Sequence, residues 1–377
     1  MHIKVSKFQL DKVIDRVSRI YEPNPYQPQY KGLYVEATDS KIIFTLSNER
    51  LSIQHTLISS GKDLENFDSE SCQILVGGFA LIPLPLFRNI IKSMNGPIEL
   101  IKKGTLLIIK NDQDKFEMNL MDESFGTLDF RLLGDKINLN INNLKTIYNN
   151  VAFAADVHNE TNELAFRLIN IKAQNGKMTA IATNSYRLAT ETLDIESDAE
   201  FSFLISPKNL KELLSFDIKG DVDFVVNDSR ISIVWDDSVI YSLIYKMDYK
   251  DTSKVIPKSF DSVLVIEKRV LANLLNKTKV FHADRSNRIR LTIKDGILTL
   301  ATKETEVGRA EATTNEFTYN EEKLDMFIVN RYLTDAINVF DGELNILFAD
   351  NNRRIVVISP NYKNNVQVLT PQKGHVD

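Results

Sequence analysis

One cysteine, Cys72, stands in a chain of 377 residues, so no disulfide can form within it and a reducing compartment is expected. No apolar run approaches the ~20 residues that a membrane-spanning helix needs. The start, Met1-His2-Ile3-Lys4-Val5-Ser6-Lys7, is interrupted by charge too early for a secretory signal. A soluble cytoplasmic chain without membrane contact is the expectation. With 14 Gly and 10 Pro it is neither collagenous nor of low complexity. Charge of neither sign dominates: 46 basic against 51 acidic residues leave −5. That balance argues against gripping nucleic acid over the whole surface, while leaving room for a local basic face.

Catalytic constellations are missing too. The five histidines are scattered, with no HExxH and no Cys/His spacing for zinc. There is no GxxxxGK[ST] loop and no GxSxG elbow. Asp221-x-Asp223 and Asp236-Asp237 are carboxylate pairs that could hold a cation, but at strand ends and turns such pairs are usually solvated. Cys72 has no neighbouring histidine in sequence and reads as an inert thiol. Neither a metal nor a cofactor is called for. An enzyme with dispersed catalytic residues remains one of the open alternatives.

What is present is a long internal repeat. Lys41-Ile42-Ile43-Phe44-Thr45-Leu46-Ser47-Asn48-Glu49-Arg50, Lys177-Met178-Thr179-Ala180-Ile181-Ala182-Thr183-Asn184-Ser185-Tyr186-Arg187 and Gly296-Ile297-Leu298-Thr299-Leu300-Ala301-Thr302-Lys303-Glu304 share one plan. Each is a turn, an alternating strand, then a small or hydroxyl residue leading to polar positions. A second alternating stretch follows at 51–54, 188–191 and 307–310. Independently, 79–83, 203–207 and 327–331 each lead into a helical pattern and then a strand–turn–strand, at 98–110, 222–235 and 344–358. Pro83 and Pro207 suit the start of a helix, where a missing N–H costs little. The period is about a third of the chain, which means three similar domains in tandem rather than a solenoid. The boundaries divide the chain into 1–127, 128–258 and 259–377. The class is α+β, each domain pairing two helices with antiparallel sheets.

The helices carry cations on their outer faces. In the first, Leu10, Val13, Ile14 and Val17 make the apolar stripe, with Lys12, Arg16 and Arg19 on another face. The second buries Leu84, Phe87, Ile90, Ile91 and Met94 and shows Arg88 and Lys92. Lys145 lies on the next, Lys208 and Lys211 on the fourth, Arg269 and Lys277 on the fifth. The last has only Arg331, offset by Asp335. These segments are net positive in a chain of net −5, so the remainder is acidic. Lys-rich solvated faces are the competing reading. No aromatic ladder for single strands and no helix-turn-helix is present, so contact would be by charge and not by base sequence.

Ala180-Ile181-Ala182-Thr183-Asn184-Ser185-Tyr186-Arg187-Leu188-Ala189 resembles the ATDGHRLA motif of bacterial sliding clamps, the beta subunit of DNA polymerase III. Phe203-Leu204-Ile205-Ser206-Pro207-Lys208 is similar to that family's approach to the second helix of its middle domain. Asp251 with Val255-Ile256-Pro257 resembles its FPDYxxVxP connector, Tyr332-Leu333 its YL element, and Val368-Leu369-Thr370-Pro371 its terminal MPMR segment. The likeness runs from end to end. Asn184-Ser185-Tyr186 replaces Asp-Gly-His, Tyr249-Lys250 replaces Phe-Pro, and Thr370-Pro371-Gln372-Lys373 replaces Met-Pro-Met-Arg.

The resemblance implies a head-to-tail homodimer, a closed ring of six domains around duplex DNA. Twelve helices at about 10 Å each trace a circumference of ~120 Å and leave a bore of roughly 28 Å, enough for a hydrated duplex with slack. It implies tethering of the replicative polymerase, and contact with a clamp loader and other proteins bearing a clamp-binding motif. Their short peptides would enter a groove of Phe166, Thr183, Ser185, Tyr186, Arg187 and Leu188 in the middle domain, Val255 in the connector, and Tyr332, Val368, Leu369, Thr370 and Pro371 in the last. Lys12, Arg16, Arg19, Arg88, Lys92, Lys145, Lys208, Lys211, Arg269 and Lys277 would face DNA. Phe116, Val280 and Phe281 would meet the second subunit. A binding scaffold of the same fold outside replication is the alternative.

Overall fold

A computed structural model describes the chain apart from residues 62–66, 122–124, 127, 157–160, 250–251, 282–287, 305, 307 and 373–377, and the side chains of Ser253 and Phe281. Among the described residues there are six α-helices: α1 (Lys7–Val17), α2 (Leu84–Ser93), α3 (Ile141–Val151), α4 (Pro207–Leu213), α5 (Lys268–Thr278) and α6 (Asn330–Asn338). Their starts follow local chemistry. The Ser6 hydroxyl accepts the Gln9 amide at 3.1 Å and caps α1. Pro83 immediately precedes α2, Pro85 lies in its first turn, and Pro207 opens α4. Each apolar stripe read from the sequence is turned inward: Leu10, Val13, Ile14 and Val17 on α1, Leu271, Leu274 and Leu275 on α5.

The chain packs as two compact units. The first comprises Met1–Asn142 and Lys208–Tyr245, the second Asn143–Pro207 and Lys246–Asp377. In the first, a five-stranded antiparallel sheet runs in the order Cys72–Val76, His2–Val5, Ile98–Lys103, Leu106–Lys110, Lys115–Asn119. An eight-stranded antiparallel sheet runs from Asp135–Asn140 through Asp221–Val226, Arg230–Trp235, Ser238–Leu243, Leu51–Ile58, Lys41–Ser47 and Gly32–Ala37 to Gly78–Pro83. In the second unit, a nine-stranded sheet starts at Phe201–Ile205 and passes through Ile169–Gln174, Lys177–Thr183 and Arg187–Asp194. It continues with Asn365–Leu369, Arg354–Ile358, Glu343–Ala349, Ser262–Glu267 and Thr318–Tyr319. A four-stranded sheet of Glu311–Thr314, Ile297–Thr302, Arg288–Lys294 and Leu324–Val329 completes it.

The middle third of the sequence is therefore shared between the units. Its strand Ser238–Leu243 pairs with Leu51–Ile58, and its strand Arg187–Asp194 pairs with Asn365–Leu369. Each large sheet passes through such a seam. Strand positions read from the sequence hold in all three repeats but one. The second stretch of the last repeat is the strand Glu311–Thr314, downstream of 307–310, where Gly308 takes φ +133°; Val307 lies outside the described residues.

The carboxylate pairs have partners already. Asp221 accepts from Asn140 at 2.8 Å, Asp223 pairs with Lys136 at 2.8 Å, and Asp236 pairs with Arg16 at 2.5 Å. Among the described residues no group of three metal-ligating side chains converges. The Cys72 thiol is buried, donates to the Ile58 carbonyl at 3.0 Å, and is pushed up in pKa by burial.

His55 lies fully buried on the strand Leu51–Ile58, its Nδ1 2.7 Å from the Ser238 hydroxyl across the seam. Burial, reinforced by Arg16 and Lys12, lowers its pKa to about 4. Folded, the ring stays neutral down to that pH, whereas the unfolded chain takes up the proton near 6.5. Stability is thus fully present above pH 6.5 and falls as pH drops toward 4. This group should remove up to about 3 kcal/mol over that window. Denaturant titrations across the pH series should show the decline, and His55→Gln should flatten it.

Candidate functional site

At the seam of the second unit, Arg187 stands opposite Leu369 and Leu188 opposite Val368. Leu188 and Val368 share a buried cluster with Leu347 and Val356, against which Ile256 packs. Leu369, 1% exposed, belongs to the main core with Tyr332 and Leu333 of α6. These three groove candidates pack the interior of the free chain.

The turn leading to Arg187 is held by its own side chains. Asn184 Oδ1 accepts from the amides of Tyr186 at 3.1 Å and Arg187 at 3.0 Å. Thr183 Oγ1 donates to the Arg187 carbonyl at 2.6 Å and accepts from the Ser185 amide at 3.2 Å. Ser185 takes φ +74°, the left-handed region that explains why the resembling motif has glycine there. Closing the seam, the Thr370 amide donates to the Tyr186 carbonyl at 2.9 Å.

Arg187 is buried beneath this turn. It pairs with Asp335 of α6 at 2.6 Å, donates to the Phe153 carbonyl, and lies over the rings of Tyr332 at 4.5 Å and Phe153 at 5.3 Å. Burial lowers its pKa from the usual guanidinium value, and Asp335 counters the shift. Asn184 Nδ2 reaches the Tyr332 hydroxyl at 3.3 Å. The surface above is left to Tyr186 (47% exposed), Ser185, Thr370 and the half-buried Pro371. Val255 is exposed, and its carbonyl accepts from Arg354 at 2.9 Å. Phe166, half-buried in the short 3₁₀ helix Leu164–Arg167, accepts the Asp156 amide at 2.7 Å, and that helix packs on the strand Lys177–Thr183.

The first unit carries the same turn. Asn48 Oδ1 accepts from the amides of Arg50 at 3.3 Å and Leu51 at 2.9 Å, and Ser47 Oγ donates to the Leu51 carbonyl at 3.3 Å. Glu49 takes φ +73°. The Leu243 amide donates to the Arg50 carbonyl at 2.9 Å, matching Thr370 and Tyr186. Asn48 and Arg50 reach Glu212 of α4, at 3.2 Å and 3.3 Å.

Residues 138–251 match the family model of the DNA polymerase III beta subunit, central domain, and residues 253–373 that of its C-terminal domain. The chain belongs to the DNA polymerase III beta subunit family. It is 28% identical over 382 residues to the beta sliding clamp of Mycoplasmopsis pulmonis (strain UAB CTIP), covering 100% of both chains. The beta sliding clamp of Bacillus subtilis (strain 168) is 22% identical over 385 residues, again with 100% of both covered. The crystal structure of the DNA polymerase sliding clamp from Bacillus subtilis superposes with a TM-score of 0.89 at 20% identity, covering 100% of both. That of the beta chain from Streptococcus pneumoniae TIGR4 gives 0.89 at 18%, covering 99% of this chain and 100% of that one. The fold is that of the sliding clamps.

In this beta-subunit family member the candidate DNA-facing cations divide into two sets. Arg16 is engaged by Asp236, by the Ser238 hydroxyl at 2.9 Å and by the Trp235 ring. Arg19 donates to the Ser215 carbonyl at 2.6 Å and lies over Phe216. These two arginines fasten α1 within the first unit. Lys208 is 4.0 Å from Glu212, and Lys145 has a partner of its own. Lys92, Lys211, Arg269 and Lys277 are exposed, and Lys12 and Arg88 half-buried; these six have no ion pair among the described residues. Phe116 is half-buried on Lys115–Asn119, an outer strand of the five-stranded sheet. Val280 is 75% exposed just past α5, and the Phe281 side chain lies outside the described residues, as do Lys250, Asp251 and Lys373.

Sequence reasoning missed Asn184, Phe153 and Asp335 as parts of the site. Asp335 carried a usable signal, since it follows Tyr332 by three residues on one helix and so shares its face. Replacing it leaves Arg187 charged and buried. Asp335→Asn should cost about 1–3 kcal/mol, read as a lowered melting temperature and a shift in Tyr332 fluorescence.

Proposed function

We propose that the chain is a DNA sliding clamp: two copies join head to tail, encircle duplex DNA, and tether the replicative polymerase and other replication and repair proteins. Its domains are 1–127, 128–258 and 259–377, and its role is non-catalytic. The observation that carries the reading is the repeated seam. One Asn-braced turn at 47–51 and again at 183–187 sets an edge strand against the next third of the chain. A joint used twice within a chain, and once more between copies, generates a closed ring when the rotations add to a full turn. Lys115–Asn119, with Phe116, is the open edge suited to that third joint, together with Val280 and Phe281 of the second copy. The unpaired cations Lys12, Arg88, Lys92, Lys211, Arg269 and Lys277 supply a wall that attracts phosphates without reading bases.

Tethering works through effective concentration: a polymerase held on the ring cannot diffuse away between nucleotides. Its short apolar peptide would lie over the seam of the second unit, on Tyr186, Thr370, Pro371, Val255 and Phe166, with Thr183, Ser185, Arg187, Leu188, Tyr332, Val368 and Leu369 forming and stiffening the floor. The clamp loader would use the same groove.

Light scattering should give a dimer. Loaded on nicked circular DNA by its clamp loader, the protein should co-elute with DNA and be lost after linearisation; a monomer, or retention on linear DNA, counts against encirclement and favours a scaffold outside replication. Tyr186→Ala with Pro371→Ala should weaken a polymerase-derived peptide about tenfold in fluorescence anisotropy, by loss of its central apolar contacts. Unchanged affinity would refute the groove.

A further inference from the structure

Between the end of α1 and the outer face of α2 lies a cavity of about 280 Å³. Its wall carries Arg88 and Lys92, one helical turn apart, with Asn89 between them, and Ser18 and Tyr21 opposite. No carboxylate lines it. Arg88 and Lys92 have no ion pair among the described residues, in contrast to Arg16 and Arg19 on the neighbouring helical segment. The floor is the start of α2, at Leu84 and Pro85. No side chain caps that terminus and no acid occupies its first turn, so its partial positive charge is uncompensated. The Ser18 hydroxyl is buried without a hydrogen-bond partner. A buried hydroxyl with nothing to bond is costly unless something arrives to bond it.

We infer that this notch holds one backbone phosphate of the duplex, so that the first third of the chain grips DNA at a fixed point while the remaining cations act through solvent. The inference rests on the clamp reading and deepens it. Charge selects an anion, since two cations and a helix terminus converge with no opposing carboxylate. Three donor types, guanidinium, ammonium and hydroxyl, suit the several acceptor oxygens of a phosphodiester. One phosphate held here adds friction along the axis without adding sequence preference.

The test uses the full chain and a 20-base-pair linear duplex, with affinity measured by anisotropy over a salt series. Arg88→Gln with Lys92→Gln should lower the slope of log K against log salt by about 1, the signature of one phosphate lost. Ser18→Ala removes no charge, so it should weaken binding about threefold at every salt concentration with the slope unchanged. Its melting temperature should hold, because the hydroxyl has no protein partner to lose. Wild-type affinity in Ser18→Ala, or an unchanged slope in the double variant, overturns the notch. Inorganic phosphate that stabilises the wild type but not the double variant at constant ionic strength, with the duplex slope unmoved, assigns the notch to a free phosphate and also overturns it. If the wild type remains on closed circular DNA while these variants behave as wild type, the notch fails and the clamp reading stands. If the wild type binds neither DNA, both fall.

Discussion

Antiparallel strand pairing across the two seams is the constraint on which the other features depend. In each seam five residue pairs join strands far apart in sequence, Leu51–Ile58 with Ser238–Leu243 and Arg187–Asp194 with Asn365–Leu369. Register matters here because a slip by one residue would exchange the two faces of the strand. It would turn Leu188 and Val368 out of their cluster and pull Arg187 from Asp335. The Asn-braced turns at the start of both strands fix that register locally. Their side chains satisfy the backbone amides that a sharp reversal would otherwise leave unpaired.

Charge is handled differently in the two roles that arginine plays. Arg187, Arg16 and Arg19 are spent on structure: each meets a carboxylate or a carbonyl and lies over an aromatic ring. A planar guanidinium can donate at its edge while stacking on its face, and lysine cannot. The cations without partners are mostly lysines near helix surfaces. Charge for holding the protein together and charge for meeting another polyanion are thus carried by different residues within one helical stretch, as Lys12 and Arg16 show.

Much of the fold was legible because periodicity reports burial. The apolar stripes of α1, α2 and α5 and the alternating strands of all three repeats appear where their spacing places them. The partition into two compact units was not legible, because strand pairing between thirds leaves no local pattern. In the site, Thr183, Arg187 and Tyr332 do converge, as the resemblance implied. Their depth was hidden: an arginine in a motif gives no sign that it is buried against Asp335. Arg16 and Arg19 misled for a related reason. Helical spacing shows which face a residue occupies, while Asp236 and Ser215, more than 190 positions away, decide whether that face is free.

The continuity of the two large sheets has a mechanical consequence. Flexing at either seam would shear a row of backbone hydrogen bonds together, since the strands are bonded side by side rather than strung on a linker. In a ring of such chains, compliance would concentrate at the joints between subunits, where no ladder is reinforced by a covalent backbone. A loader that needs an opening wide enough for a duplex would therefore work like someone springing a split washer, prying at the gap while each half stays stiff.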